Sequence, residues 1–149
     1  MSATGDRVVA LARAWIGTPY CHQASCRGAG ADCLGLVRGV WRELYGAEPE
    51  LVPGYTADWG EAGRKERLWR AARRHLRERA AEEPMQAGDL LLFRMRRGAV
   101  AKHLGIAAEV GPRARFVHAY SGHAVCESAL SGPWARRIAA RFVFPERES

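Results

Sequence analysis

The chain has 149 residues, 48% of them hydrophobic, enough for one respectable core, and nothing in it reads as a linker between two. Asp6, Arg7 and Arg13 break up the first twenty residues, which excludes the apolar run of an export signal or a membrane span, and irregular spacing of Cys21, Cys26, Cys33 and Cys126 argues against a secreted disulfide scaffold. The formal charge is +7, almost all arginine with lysine only at 65 and 102; it suits nucleic acid, an acidic membrane surface or a carboxylate-bearing wall polymer, and equally a solvated, self-repelling surface.

Val8, Val9, Leu11, Ala12, Trp15 and Ile16 recur at helical spacing and stop at Gly17-Thr18-Pro19, so the first predicted element is an amphipathic helix. A glycine-rich loop from Thr18 to Ala31 leads to Asp32, a capping residue, and then to a helix-like run through Leu36, Val37, Val40, Trp41 and Leu44 that Gly46 can end. Gly35 and Gly39, four apart, suit a helix pressed close to a sheet. From Ala47 to Gly63, prolines and glycines with Tyr55 and Trp59 predict an ordered irregular loop that forms a cleft wall. Arg64 to Ala80 predicts a third helix, with Leu68, Ala72 and Leu76 on one face and basic residues around the rest. Trp69 alone among aromatic residues interleaves with those arginines, so a solvated face is favoured over specific nucleic-acid binding. After Gly88-Asp89 the pattern changes to strands at Leu90 to Met95, Leu104 to Val110, Arg115 to Tyr120, Ala124 to Glu127 and Ile138 to Phe144. Helices first and strands after predict an α+β fold in one domain over residues 1–149, with N-terminal helices packed on a C-terminal antiparallel sheet of about five strands.

Cys33 follows the capping Asp32 directly, which puts a thiol on the first turn of a helix, where unpaired N–H groups and the helix dipole favour thiolate. His103 and His118 lie in strand-like runs downstream, and cysteine before histidine is the order of many thiol hydrolases. If the hairpin between them turns at Gly111-Pro112 with Val110 opposite Arg113, the two histidines become diagonal neighbours on one sheet face, about 7 Å apart by backbone. In such a set Cys33 attacks a carbonyl carbon, His103 takes and returns the proton, and His118 orients His103. The Cys33 backbone N–H is a natural oxyanion donor, Tyr20 can add a phenolic hydrogen bond, and no metal or cofactor is required. Cys21, His22, Cys26 and Cys33 also invite a zinc reading, but they lack the closely spaced pairs of structural zinc sites. The spacing leaves a Cys21–Cys26 bridge open, and Cys126 is most simply core.

Gly17-Thr18-Pro19-Tyr20, Asp32-Cys33-Leu34-Gly35-Leu36, Gly88-Asp89-Leu90-Leu91-Leu92-Phe93, His103-Leu104-Gly105-Ile106 and Phe116-Val117-His118-Ala119 resemble, in that order, the motifs of the NlpC-type cell-wall peptidases. The resemblance implies a papain-like cysteine endopeptidase that cuts peptidoglycan stem peptides, typically between D-glutamate and diaminopimelate. It implies catalytic Cys33, His103 and His118, with Tyr20 and Asp32 as oxyanion or substrate-binding residues. His22-Gln23-Ala24-Ser25, Tyr55-Thr56-Ala57-Asp58-Trp59 and Pro133-Trp134-Ala135-Arg136-Arg137-Ile138 are similar to the branch carried by phage tails and gene transfer agents. That implies tail or baseplate proteins as partners, and cytoplasmic synthesis without a signal peptide for an enzyme that acts in the periplasm or cell wall. Leu34 stands where the family usually has serine, and Cys21-His22-Gln23 where it has paired glycine. The competing classes are a non-catalytic tail module of the same fold, a thiol amidase or acyltransferase on another substrate, and an arginine-rich nucleic-acid binder.

Overall fold

The computed structural model describes residues 2–50 and 66–146. Helix α1 spans Ala3–Ala14, and the Ser2 hydroxyl caps it by accepting the Gly5 N–H at 2.8 Å. It buries Val8, Val9 and Ala12, with Trp15 just beyond its end, while Ile16, expected on that face, is exposed. Helix α2 spans Cys33–Tyr45 between Asp32 and Gly46, the limits read from sequence; Gly46 has φ of 91°, a conformation that favours glycine. Between the helices, strands β1 (Ser25–Cys26) and β2 (Gly30–Ala31), of two residues each, form a short hairpin that composition alone does not signal. The expected loop to Gly63 is described only as far as Glu50, so Tyr55 and Trp59 lie outside the described residues.

Helix α3 covers Arg67–His75 and is shorter than the predicted 64–80. Leu76 turns extended, and Arg77–Glu78 form strand β3, paired with Val143 and Phe142. Arginine and glutamate carry no strand preference, so here pairing with a neighbouring strand overrides local propensity. The arginines of this region meet carboxylates, Arg73 with Glu78, Arg74 with Glu50 and Arg77 with Glu83, as a solvated face would.

The remaining strands are β4 (Leu90–Phe93), β5 (His103–Glu109), β6 (Arg115–His118), β7 (Cys126–Ala129) and β8 (Ile138–Val143), with a one-turn helix α4 (Gly132–Ala135) before the last. They make one antiparallel sheet in the order β3-β8-β4-β5-β6-β7, six strands rather than about five because of β3. Leu90, Leu92, Leu104, Ile106 and Val117 join the helices in the main core, while Leu91, Phe93, Ala107 and Phe116 form a second cluster on the other face. The run Leu90–Phe93 is apolar throughout because both faces are covered.

The β5–β6 hairpin differs in detail from the predicted turn. Its first pair is Glu109 with Arg115, one residue out of the expected register, and an irregularity between Ala107 and Glu109 takes up Ala108 as an extra residue. Beyond it, Gly105 pairs with His118, so the longer loop and the bulge cancel. His103 and His118 therefore share one face as diagonal neighbours.

Gly35 and Gly39 permit close approach, but not to the sheet. A Cβ on Gly35 would lie 1.8 Å from the Ala24 carbonyl oxygen, and one on Gly39 would lie 2.0 Å from the Trp15 ring. Alanine at either site gains about 1 kcal/mol in helix preference, whereas overpacking costs about 1–3 kcal/mol, and a backbone oxygen has little freedom to yield. Gly35→Ala and Gly39→Ala should both lower the urea midpoint of unfolding, Gly35→Ala more; a higher midpoint in either would contradict this packing.

Candidate active site

The loop before α2 is tied at both ends. Gly17 N–H donates to the Val125 carbonyl at 2.9 Å, Val125 N–H returns a bond to the Thr18 carbonyl at 2.9 Å, and Tyr20 bridges to Ala31. Asp32 closes it: one carboxylate oxygen accepts the Gly35 N–H and the other the Gln23 N–H, each at 2.7 Å. Gln23 sits at φ of 66°, a strained conformation for a side chain larger than glycine, and the buried carboxylate is what holds it there. Asp32 thus acts on backbone, as cap and loop clamp, while also lining the cleft.

Cys33 opens α2, and its thiol lies 3.8 Å from the Lys102 carbonyl oxygen, which accepts from it. The N–H groups of Leu104, Leu34 and Cys33 itself point at the sulfur. Lys102 and Leu104 flank His103 in sequence, so the sulfur sits against the start of β5, where that histidine is carried. Cys33, His103, Tyr20 and Asp32 line one cleft, whose cationic rim includes Arg96, Lys102 and Arg137.

The sequence reading expected the helix end to ionise this sulfur. Its N–H groups do favour the anion, but burial outweighs them, and the Asp32 carboxylate adds repulsion; together they push the thiol from 9.0 to about 12. Cys33 therefore rests as a neutral thiol.

His103 and His118 meet through Nε2 and Nδ1 at 2.9 Å, with their rings nearly perpendicular. Both are buried. Burial first, and then the neighbouring His118 for His103 and His123 for His118, lower them to about 3 and about 4, so both are neutral. Trp134, on α4, lies 5.5 Å from the first ring and 5.1 Å from the second, and Phe116 lies 4.1 Å from His118. His118 Nε2 reaches the Ser128 hydroxyl at 3.0 Å. Tyr20 is raised by its own burial and then by Asp32 and Cys33, and hydrogen-bonds Ser121.

Ser128 and Trp134 received no role from sequence. Ser128 lies one residue past the predicted end of its strand; carrying the alternation two residues on from Cys126, opposite His118, would have placed it on the histidine face. For the zinc reading, the described residues bring no three metal-ligating side chains together.

A cysteine on the first turn of a helix, set against an antiparallel sheet that carries paired histidines, defines a papain-like α+β fold. The model of the NlpC/P60 family matches residues 17–142, and the chain belongs to that family. It is 31% identical over 134 residues to the murein DD-endopeptidase MepS/murein LD-carboxypeptidase of Escherichia coli K12, covering 85% of this chain and 59% of that protein. A probable endopeptidase of Haemophilus influenzae is 26% identical over 136 residues, covering 87% of this chain and 71% of that protein. The chain thus spans about three fifths of the first relative's length. Among solved structures, a lipoprotein-like NLP/P60 protein of Staphylococcus aureus superposes with a TM-score of 0.64 at 24% identity, over 98% of this chain and 43% of that one. The NlpC/p60 domain of the peptidoglycan hydrolase SagA does so at 0.57 and 24%, over 95% and 98%.

The buried imidazoles impose a pH dependence on stability. Each stays neutral in the fold while the unfolded chain takes up a proton below its ordinary value near 6.5, so stability is complete above that pH and falls as pH drops toward the folded values. Between pH 7 and pH 5 each histidine should cost about 2 kcal/mol, and His118→Asn should remove about half of the dependence. Urea unfolding at the two pH values checks this, and equal stability would contradict it.

Proposed function

We propose that the protein is a cysteine peptidase that hydrolyses amide bonds in peptidoglycan stem peptides, with Cys33 as nucleophile, His103 as base and His118 as its orienting partner. The observation that carries this reading is the 2.9 Å bond between His103 Nε2 and His118 Nδ1, which leaves His103 Nδ1 to serve the thiol that lines the same cleft. The Cys33 sulfur attacks the carbonyl carbon as its proton passes to His103 Nδ1, and the Cys33 N–H stabilises the oxyanion. Collapse breaks the C–N bond, the amine leaves with the proton from His103, and a thioester remains. Water, deprotonated by His103, then releases the acid and restores the thiol. Tyr20 adds a phenolic hydrogen bond at the cleft wall, and Asp32 keeps the loop and helix start aligned to hold substrate.

The Escherichia coli relative, named for murein endopeptidase and carboxypeptidase activity, supports peptidoglycan as the substrate. The cationic rim of Arg96, Lys102 and Arg137 suits carboxylate-bearing stem peptides. The bond proposed is D-glutamyl–diaminopimelate, and the setting a phage tail or gene transfer particle acting on the wall from the periplasm; both rest on the sequence motifs. Among the described residues no helix is long and apolar enough to cross a membrane.

Purified protein should digest sacculi, and Cys33→Ala should abolish digestion. His103→Ala should lose about 10²–10⁴-fold in rate, and His118→Ala about 10–100-fold, since it acts through His103. Unchanged turnover in Cys33→Ala would overturn the nucleophile assignment. Mass analysis of released fragments reads the bond: a free diaminopimelate amine on the D-glutamyl side supports the one proposed, and D-alanine termini would replace it with a DD- or LD-specific cut.

A further inference from the structure

The histidine pair is the middle of a longer hydrogen-bonded row. His103 Nε2 meets His118 Nδ1 at 2.9 Å, His118 Nε2 meets Ser128 Oγ at 3.0 Å, and Ser128 Oγ lies 3.6 Å from Cys126 Sγ. The row runs from β5 through β6 to β7, where Cys126 stands opposite His118 and Ser128 opposite Phe116. We propose that Ser128 is a positioning residue that fixes the tautomer of both histidines, so that His103 presents an unprotonated Nδ1 to the Cys33 thiol. This rests on the catalytic roles given above.

Each neutral imidazole carries one N–H, so only two arrangements satisfy the row. In one, the protons sit on His103 Nε2 and His118 Nε2, each donating along the row, and Ser128 accepts. In the other, both protons sit on Nδ1, Ser128 donates to His118 Nε2, and His103 has no free lone pair on Nδ1. Only the first lets His103 act as a base.

Proton transfer makes the choice binding. Once His103 has taken the thiol proton, both its nitrogens carry hydrogen, so His103 Nε2 must donate and His118 Nδ1 must accept. The His118 proton is then confined to Nε2, in a side chain that is buried and needs an acceptor. Ser128 Oγ is that acceptor, and its own hydrogen can turn to the Cys126 sulfur. Removing the hydroxyl leaves a buried N–H unpaired in the productive arrangement, which tips the pair toward the inactive tautomer.

The test uses the full chain and its Ser128→Ala and Ser128→Thr variants, with ¹⁵N spectra of the histidine rings and kcat and KM for stem-peptide hydrolysis. The wild-type protein should show His103 protonated at Nε2 and bare at Nδ1. Ser128→Ala should shift protonation toward Nδ1 and lower kcat about tenfold to a hundredfold with KM unchanged, and Ser128→Thr, which keeps a hydroxyl, should restore both. A wild-type His103 protonated at Nδ1, or a Ser128→Ala variant with unaltered tautomer and kcat, would overturn the proposal. A wild-type protein without hydrolytic activity would sink the catalytic reading instead, and the ring spectra would still decide the role of Ser128.

Discussion

Two backbone N–H groups from different segments, Gly35 inside α2 and Gln23 in the preceding loop, share the single buried carboxylate of Asp32. That clamp sets where α2 begins, holds Gln23 left-handed, and places the first helical residue against the start of β5. The fit leaves no slack: Gly35 lies so close to the Ala24 carbonyl that no side chain is accommodated. The same carboxylate also repels negative charge on the neighbouring sulfur. One interaction therefore both positions the thiol and opposes its ionisation.

The consequence is an uncharged thiol and imidazole inside a cleft that also holds the Asp32 carboxylate and the Arg96, Lys102 and Arg137 cations. A neutral thiol lines the same cleft as the neutral His103, whose partner His118 packs against Trp134 and Phe116, so charge separation is left to the reaction itself. Around side chains as buried as these histidines, donors aimed at developing charge act strongly, and the cost of wrongly placed protons is correspondingly high. The row of hydrogen bonds through His118 to Ser128 answers that need by giving each proton one place. It depends in turn on the Ala108 bulge, without which a one-residue slip would send one histidine to the opposite face.

Helix limits were legible in the sequence where local chemistry sets them, as at Asp32 and Gly46 around α2, because caps and left-handed glycines act within a few residues. The histidine pairing was legible as far as periodicity reaches: the shared face was readable, while the loop and bulge that achieve it were not, since two offsetting irregularities leave no trace in alternation. Strand β3 was hidden because pairing with β8, not the preference of Arg77 and Glu78, makes it a strand. The partners of Gly35 and Gly39 were long-range contacts that spacing does not name. The charge state of Cys33 is hidden for a similar reason: a helix end is visible in sequence, but the burial that outweighs it belongs to the assembled fold.

The claim beneath all of this is that the folded cleft keeps Cys33 protonated until substrate arrives. The direct measurement is the rate of iodoacetamide alkylation at Cys33, followed by peptide mass mapping from pH 5 to pH 10, with the exposed Cys21 and Cys26 as internal references. The account predicts a Cys33 rate that at pH 6 does not exceed those of Cys21 and Cys26 and climbs without a plateau as pH rises. A fast rate that is flat from pH 5 to pH 8, the mark of a standing thiolate–imidazolium pair, would contradict it.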